Sequence, residues 1–309
     1  MRIRHVAALP VAGLTLILLT GCSGSPAPTK VEAAPPVDLC ALAAPPGAVS
    51  DAIVVKGEVG APASVNLPGP LTITGAERTV VVEGGGEKLD GASLVDYAMT
   101  VFDAASGEQV RVQGYDGAPS LPVPAATVGQ FVGCATVGSR VVVAAPATDQ
   151  EAASVWVVDV LGSTPARATG ADQEPVDGMP KVDLAESGAP IVTVPGEQPP
   201  AENQVAVLKK GDGAVVVPGD TVMVQYAGLR WSDGTVFDSS WTTGAPTALV
   251  TTDVIEGYKQ ALEGHSVGSQ VLVVIPPAEA YGEGEINEID LTGETLVFVV
   301  DILDTTQAG

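Results

Sequence analysis

Two halves of this chain repeat the same landmarks in the same order. Val137-Gly138-Ser139-Arg140-Val141 is answered by Val267-Gly268-Ser269-Gln270-Val271, and Val155-Trp156-Val157-Val158-Asp159-Val160-Leu161 by Val297-Phe298-Val299-Val300-Asp301-Ile302-Leu303. Gly60-Ala61-Pro62 matches Gly188-Ala189-Pro190, Pro68-Gly69 matches Pro195-Gly196, Ala76-Glu77 matches Ala201-Glu202, and Tyr97 matches Tyr226. The offset moves from 128 at the first match through 129 at the tyrosines and 130 at the Val-Gly-Ser turns to 142 at the last run. A self-similarity of this kind is expected of one fold used twice, and it disfavours a single large β structure over the 309 residues. The domains expected are 49–162 and 180–309, joined by 163–179, whose Pro165, Gly170, Pro175, Gly178 and aperiodic acids suggest a hydrophilic connector.

Within the second copy, Thr221 to Tyr226, Gln270 to Ile275 and Leu296 to Ile302 are rich in β-branched residues and bounded by Gly, Asp or Pro, as strands are. Between them, Asp253 and Glu256 have the spacing of a capping box, and Gly264 suits the end of the helix they would start. Val254, Ile255, Tyr258, Ala261 and Leu262 fall on one face of that helix. The class expected is α+β, an antiparallel sheet wrapped around a short helix, with scattered aromatics converging on the concave face.

The order Gly211-Asp212-Gly213, Thr221 to Tyr226, Ser232-Asp233-Gly234, Val236-Phe237-Asp238-Ser239-Ser240, Val254-Ile255-Glu256-Gly257-Tyr258, Val267-Gly268-Ser269, Ala280-Tyr281-Gly282 and Thr295 to Val299 resembles the FKBP-type peptidyl-prolyl cis-trans isomerases. The resemblance spans a whole small domain, so the chain is expected to hold two FKBP-like domains. It implies a proline socket lined by Tyr226, Phe237, Val254, Ile255, Tyr281 and Phe298, with Leu249 and Ile289 as weaker substrate contacts. By the same resemblance Asp238 is the pocket carboxylate, and the Tyr281 hydroxyl bonds a substrate carbonyl. Tyr258 stands where the family often has Trp under the proline ring. Departures occur at Thr247, where an aromatic is usual, at Ile286, where His is common, and at Asp290, where an apolar residue is usual. The substrates implied are proline-containing secreted or surface proteins, with macrolides as possible inhibitors. No metal or cofactor is implied, because rotation about a C–N bond needs none.

The first copy keeps the framework but loses these features. Val110-Arg111 stands where the second has Phe237-Asp238, roughly Val128 stands where it has Tyr258, and Ala147 to Ser154 replaces the longer Ala278 to Glu294. A degenerate, non-catalytic module is the expectation.

At the N-terminus, Arg2, Arg4 and His5 precede an apolar run from Val6 to Leu19 and then Thr20-Gly21-Cys22, the layout of a secretory signal. Leu19-Thr20-Gly21-Cys22 also looks like a lipobox, in which Cys22 would carry a lipid anchor after removal of 1–21; a plain secretory signal is the alternative. Residues 22–48 would be a tether, flexible from Ser23 to Val37, with order beginning near Asp38. Cys40 and Cys134 would then pair as a disulfide in an oxidising compartment, two buried thiols being the alternative. Loss of 1–21 leaves 12 basic against 37 acidic side chains, which argues against nucleic acid and leaves the lipid as the membrane contact.

Other chemistries find no support. His5 and His265 are the only histidines, so no His triad or zinc set can be assembled, and Gly84-Gly85-Gly86 lacks the Lys-Ser of a phosphate loop. A sandwich-type adhesion or carbohydrate-binding protein has no reason to contain Phe237-Asp238 with Tyr281. An anchored FKBP-like binding or chaperone module with little catalysis is the alternative to an isomerase.

Overall fold

The computed structural model describes residues 27–115, 121–286 and 290–307. The chain opens with strand β1 (Thr29–Lys30), helices α1 (Leu39–Leu42) and α2 (Ala48–Asp51), and the hairpin β2 (Val54–Lys56) and β3 (Ser64–Asn66). Then come β4 (Glu77–Val82), β5 (Ser93–Asp103), β6 (Gln109–Gln113), β7 (Val123–Pro124), α3 (Ala125–Val132), β8 (Arg140–Ala145) and β9 (Ser154–Pro165). A short β10 (Ala171–Asp172) leads to a second hairpin, β11 (Lys181–Leu184) and β12 (Pro190–Thr193). The remainder is β13 (Gln204–Lys210), β14 (Thr221–Arg230), β15 (Val236–Ser239), α4 (Ser240–Thr243), β16 (Thr247–Val250), α5 (Glu256–Leu262), β17 (Gln270–Ile275) and β18 (Leu296–Thr306).

Two antiparallel sheets follow one plan. The first runs β4-β8-β9-β5-β6 with β7 also on β5; the second runs β13-β17-β18-β14-β15 with β16 also on β14 and β10 added outside β13. Registers align the sheets residue by residue. Asp159 lies opposite both Arg140 and Ala98, and Asp301 opposite both Gln270 and Gln225. Moving one residue along, Met99 faces Val158 as Tyr226 faces Val300. The pairing of Tyr97 with Tyr226 is therefore corrected: Met99 holds the position of Tyr226, and Tyr97 lies two residues away. Both strands carry a register shift at the same place, Asp96/Tyr97 and Met223/Val224, which agrees with this alignment.

The second sheet is apolar on both faces. Every residue of β17 and the first eight of β18 are buried. On one face Tyr258, Ala261 and Leu262 of α5 pack with Val224, Val273, Phe298 and Val300. On the other, Leu272, Val274, Val297 and Val299 form a core with Val31, Val192, Trp231 and Trp241, under the three-stranded sheet β1-β12-β11. Covering each large aliphatic side chain contributes about 1.5–3 kcal/mol, so neither face can stay open. The first sheet is built alike: α3 covers one face, and Ile53 and Ala63 cover Phe102, Val142, Val155 and Val157 on the other, next to the β2–β3 hairpin. That hairpin region is held by the buried Arg140, which pairs with Asp159 at 2.6 Å and donates to the carbonyls of Gly57, Glu58 and Ala61.

Two connecting segments differ from expectation. Order begins before Asp38: β1 pairs with β12, and Val31 is 1% exposed in the core of the second sheet. Residues 163–179 are no loose connector either. Ala166 is buried with Leu94 of the first sheet and Met223 and Leu303 of the second, Ala168 N–H donates to Asp301 Oδ2 at 2.8 Å, and β10 pairs with β13. Small alanines and main-chain bonds do this packing, so hydrophobic periodicity gave no sign of it. Cys40 and Cys134 are joined in a disulfide that ties α1 to the end of α3. Cys22 lies outside the described residues.

Asp301 is 2% exposed and accepts from Gln270 Nε2 at 2.7 Å as well as from Ala168. Burial pushes its carboxyl up to about 6, against the opposing pull of these two donors. The folded chain thus holds this proton more tightly than the unfolded chain. The stability it contributes is present at low pH and is lost as pH rises from about 4 to about 6. Between about pH 4.5 and 7 this group should cost about 2 kcal/mol, and Asp301→Asn should remove that part of the pH dependence. Urea unfolding of both proteins at the two pH values measures it; an unchanged slope in the variant counts against the assignment.

Candidate functional site: an aromatic socket on the second sheet

Phe298, the third residue of β18, is the centre of the site. Tyr258 from α5 stands edge-on to it with ring centroids 4.9 Å apart, and Phe237 from β15 is edge-on at 5.5 Å. Tyr226 on β14 closes the group, 6.4 Å from Tyr258 and 6.5 Å from Phe298. Edge-to-face contacts of this kind suit the ring quadrupoles. The neighbour of Phe298 across the ladder is Gly228, where a Cβ would come within 2.7 Å of both Phe237 and Phe298. Only a glycine lets the two rings meet over that strand. Sequence reasoning missed it, because a strand glycine has no periodic signature.

Tyr226 and Asp238 form the polar edge. The tyrosine hydroxyl donates to Asp238 Oδ2 at 2.6 Å, and burial together with that bond pushes the Tyr226 hydroxyl well above its ordinary range. Two serines absent from the expected set brace this pair. Tyr226 N–H donates to Ser240 Oγ at 2.8 Å, Ser240 Oγ donates to Gln225 Oε1 at 2.6 Å, and Ser239 Oγ donates to the Tyr226 carbonyl at 3.1 Å. The Ser239-Ser240 dipeptide beside Asp238 was the available signal.

Val254 and Ile255 lie against the cluster, but not as helix residues. Both are extended, following the single turn Thr251–Asp253, and α5 starts at Glu256 with Ile255 at its cap and no side-chain cap bond. The expected Asp253 capping box is therefore corrected; the Asp253 side chain accepts from the Thr252 hydroxyl instead. Two consecutive β-branched residues prefer extended backbone, and here that conformation carries both toward the rings. Gly264 follows the helix with φ +83°, as its position suggested.

Tyr258 is buried, and its hydroxyl has no hydrogen-bond partner among the described residues. Burial raises its pKa strongly, with Tyr226 and Asp238 adding to the effect. Leu249 on β16 packs against the cluster, as do Ala280 and Leu291, which were not expected. Tyr281 is 54% exposed and stands at the rim outside the ring group; Ile286 is 56% exposed in the same loop. Asp290 is exposed and its carbonyl accepts from Arg230 Nη2 at 3.0 Å. Thr247 is half-buried on β16. Ile289 lies outside the described residues. Among the described residues no cluster of His, Cys, Asp or Glu could hold a metal ion.

The same positions of the first sheet hold Met99, Val110, Arg111 and Trp156. Val110 is 63% exposed, and Trp156 stacks obliquely on Phe131 at 4.6 Å. With Met99 and Arg111 at those positions, the Tyr226–Asp238 pair has no equivalent; the tyrosine–carboxylate bond of the first sheet, Tyr115 Oη to Asp159 Oδ2 at 3.2 Å, lies elsewhere.

The socket chemistry is thus a wall of aromatic rings with one tyrosine–carboxylate edge. A family model described as FKBP-type peptidyl-prolyl cis-trans isomerase matches residues 213–303, which contain all four rings and Asp238. An FK506-binding protein of Streptomyces anulatus is 39% identical over 117 residues, covering 37% of this chain and 94% of that protein. A probable FK506-binding protein of Corynebacterium glutamicum is 33% identical over 114 residues, covering 37% and 96%. The FKBP-type peptidyl-prolyl cis-trans isomerase FkpA of Escherichia coli is 37% identical over 102 residues, covering 33% and 37%. With nearly the full length of two relatives matched and the socket inside the match, this chain belongs to the FKBP-type peptidyl-prolyl cis-trans isomerase family.

Proposed function

We propose that the second sheet and its helix form the catalytic unit, accelerating cis-trans exchange about X-Pro bonds of exported proteins. The observation that carries this reading is the ring group around Phe298, closed by Tyr226 and Asp238. Rotation about the amide must overcome about 18–20 kcal/mol arising from C–N double-bond character. Proline leaves both isomers populated, within about 0.5–1 kcal/mol. The twisted amide carries less charge separation than the planar one, so a dry aromatic socket stabilises it more than the ground state. Phe237, Phe298 and Tyr258 grip the proline ring, Val254, Ile255 and Leu249 line the approach, and Ile289 adds a weaker contact. Tyr281 donates to a substrate carbonyl from the rim. Asp238 holds Tyr226 in place and moves no proton. Rapamycin-type macrolides would compete for the socket, weakened where Thr247 and Asp290 open the rim.

The matching strand order supports two FKBP-like domains, 49–162 and 180–309, the first without a working socket because Met99, Val110 and Arg111 replace Tyr226, Phe237 and Asp238. The lipobox-like Leu19-Thr20-Gly21-Cys22 supports a lipid anchor on Cys22 that holds the protein at the outer face of a membrane. No helix among the described residues is long and apolar enough to cross one.

Three outcomes are expected. The full chain should accelerate exchange in proline peptides, with preference for an apolar residue before the proline; a folded chain with no rate above background would favour the binding-module alternative. Phe237→Ala and Tyr258→Ala should lower kcat/KM about a hundredfold, corresponding to about 3 kcal/mol, and Asp238→Ala should lower it less. Cys22→Ala should release the protein from the membrane fraction or block its maturation, and unchanged retention after washing would rule out the anchor.

A further inference from the structure

The N-terminal segment lies on the second sheet before the chain enters the first. Thr29 and Lys30 pair with Val192 and Ile191, and Val31 N–H donates to the Pro190 carbonyl at 3.1 Å. Val31 is 1% exposed and shares a core with Trp241, Ala227 and Leu229, directly behind the socket strands. The strap touches the socket segment at both of its ends. Upstream of Phe237, Thr29 Oγ1 sits against Gly234, 3.1 Å from where a Cβ would stand, in the turn between β14 and β15. Downstream of Asp238, Ala34 N–H donates to the Trp241 carbonyl at 2.9 Å, and the Ala34 methyl lies 3.0 Å from where a Cβ on Gly244 would stand, the glycine whose φ of +73° ends α4. The strap's far end is fixed on the first sheet. Asp38 caps α1 by accepting from Cys40 N–H and Ala41 N–H, and Cys40 is bonded to Cys134.

We propose that Val31 and Ala34 are positioning residues of the isomerase site. They clasp β15 and α4 from behind, so that Asp238 stays bonded to Tyr226 and Phe237 stays edge-on to Phe298. Neither residue touches substrate. They act through Trp241 and the Ser239-Ser240 brace, and the chain from 27 to 37 belongs to the catalytic unit while being tied to the first sheet. This rests on the isomerase reading, and the two fail differently: an inactive wild-type chain removes that reading, whereas an active one leaves the strap to be judged by its variants.

The test uses the full chain. Val31→Asp places a charge in a sealed apolar core and should detach β1, whereas Val31→Ile should retain wild-type behaviour. In Val31→Asp, kcat/KM toward an X-Pro peptide should fall about tenfold. Amide exchange at Tyr226, whose N–H is held by Ser240, should quicken, with Val273 and Val300 still protected. Wild-type kcat/KM in a Val31→Asp protein whose Thr29 and residue-31 amides exchange freely would overturn the proposal. Should that variant unfold globally, Ala34→Pro decides: it removes only the N–H that reaches Trp241, at a position already biased to extended backbone by Pro35. A fall of about threefold in kcat/KM with Val273 and Val300 still protected supports the strap's role, and an unchanged value overturns it.

Discussion

The structure depends on the β17–β18 pair being buried on both faces. Leu272, Val274, Val297 and Val299 point one way, and Val271, Val273, Phe298 and Val300 the other. An antiparallel sheet usually leaves one face to water, and this one cannot, because both sets are apolar. The helix α5 answers one face and the hairpin β11–β12 the other. The hairpin is narrow, and β1 widens it by a strand taken from the far N-terminus. The helix-side cover is uneven at the ring group: Tyr258 and Phe298 are buried, while Phe237 and Tyr226 stay half-buried.

One buried carboxylate recurs on both sheets and is handled in two ways. Asp159 meets a buried arginine, which also collects three carbonyls of the β2–β3 hairpin region. Breaking such a pair would leave an uncompensated buried charge, a loss of about 3–5 kcal/mol. Asp301 meets Gln270, a neutral partner, and its second oxygen takes the Ala168 N–H of the inter-sheet segment. The first arrangement keeps its hairpin on its own sheet. The second fastens the connection between sheets, and burial raises its carboxyl against the pull of its two donors.

Much of this was legible in the residues. β-branched runs bounded by Gly, Asp and Pro marked β14, β17 and β18, and the widely spaced Tyr226, Phe237, Tyr258 and Phe298 do converge. Those features are local, or rest on motifs that keep their spacing. The Asp253 cap failed because Val254 and Ile255 favour extended backbone and the socket uses them that way. The match of Tyr97 with Tyr226 failed because the offset between β5 and β14 is 127 (226 − 99), not 129, and only the pairing with β9 and β18 fixes it.

By itself the sequence determined the central strands β14, β17 and β18, that the halves share a plan, and which aromatic residues are available to one pocket, since strand preference and repeat order are carried by neighbouring residues. Only the tertiary structure decided the course of residues 27–37 and 163–172. Both segments are short of large apolar residues and show no period. Their places are set by main-chain bonds to distant strands, made by Val31, Ala34 and Ala168 among others, and by single small side chains, Val31 and Ala166, entering cores already formed by others. Complementarity to a surface made elsewhere in the chain leaves no pattern in the segment that fits it.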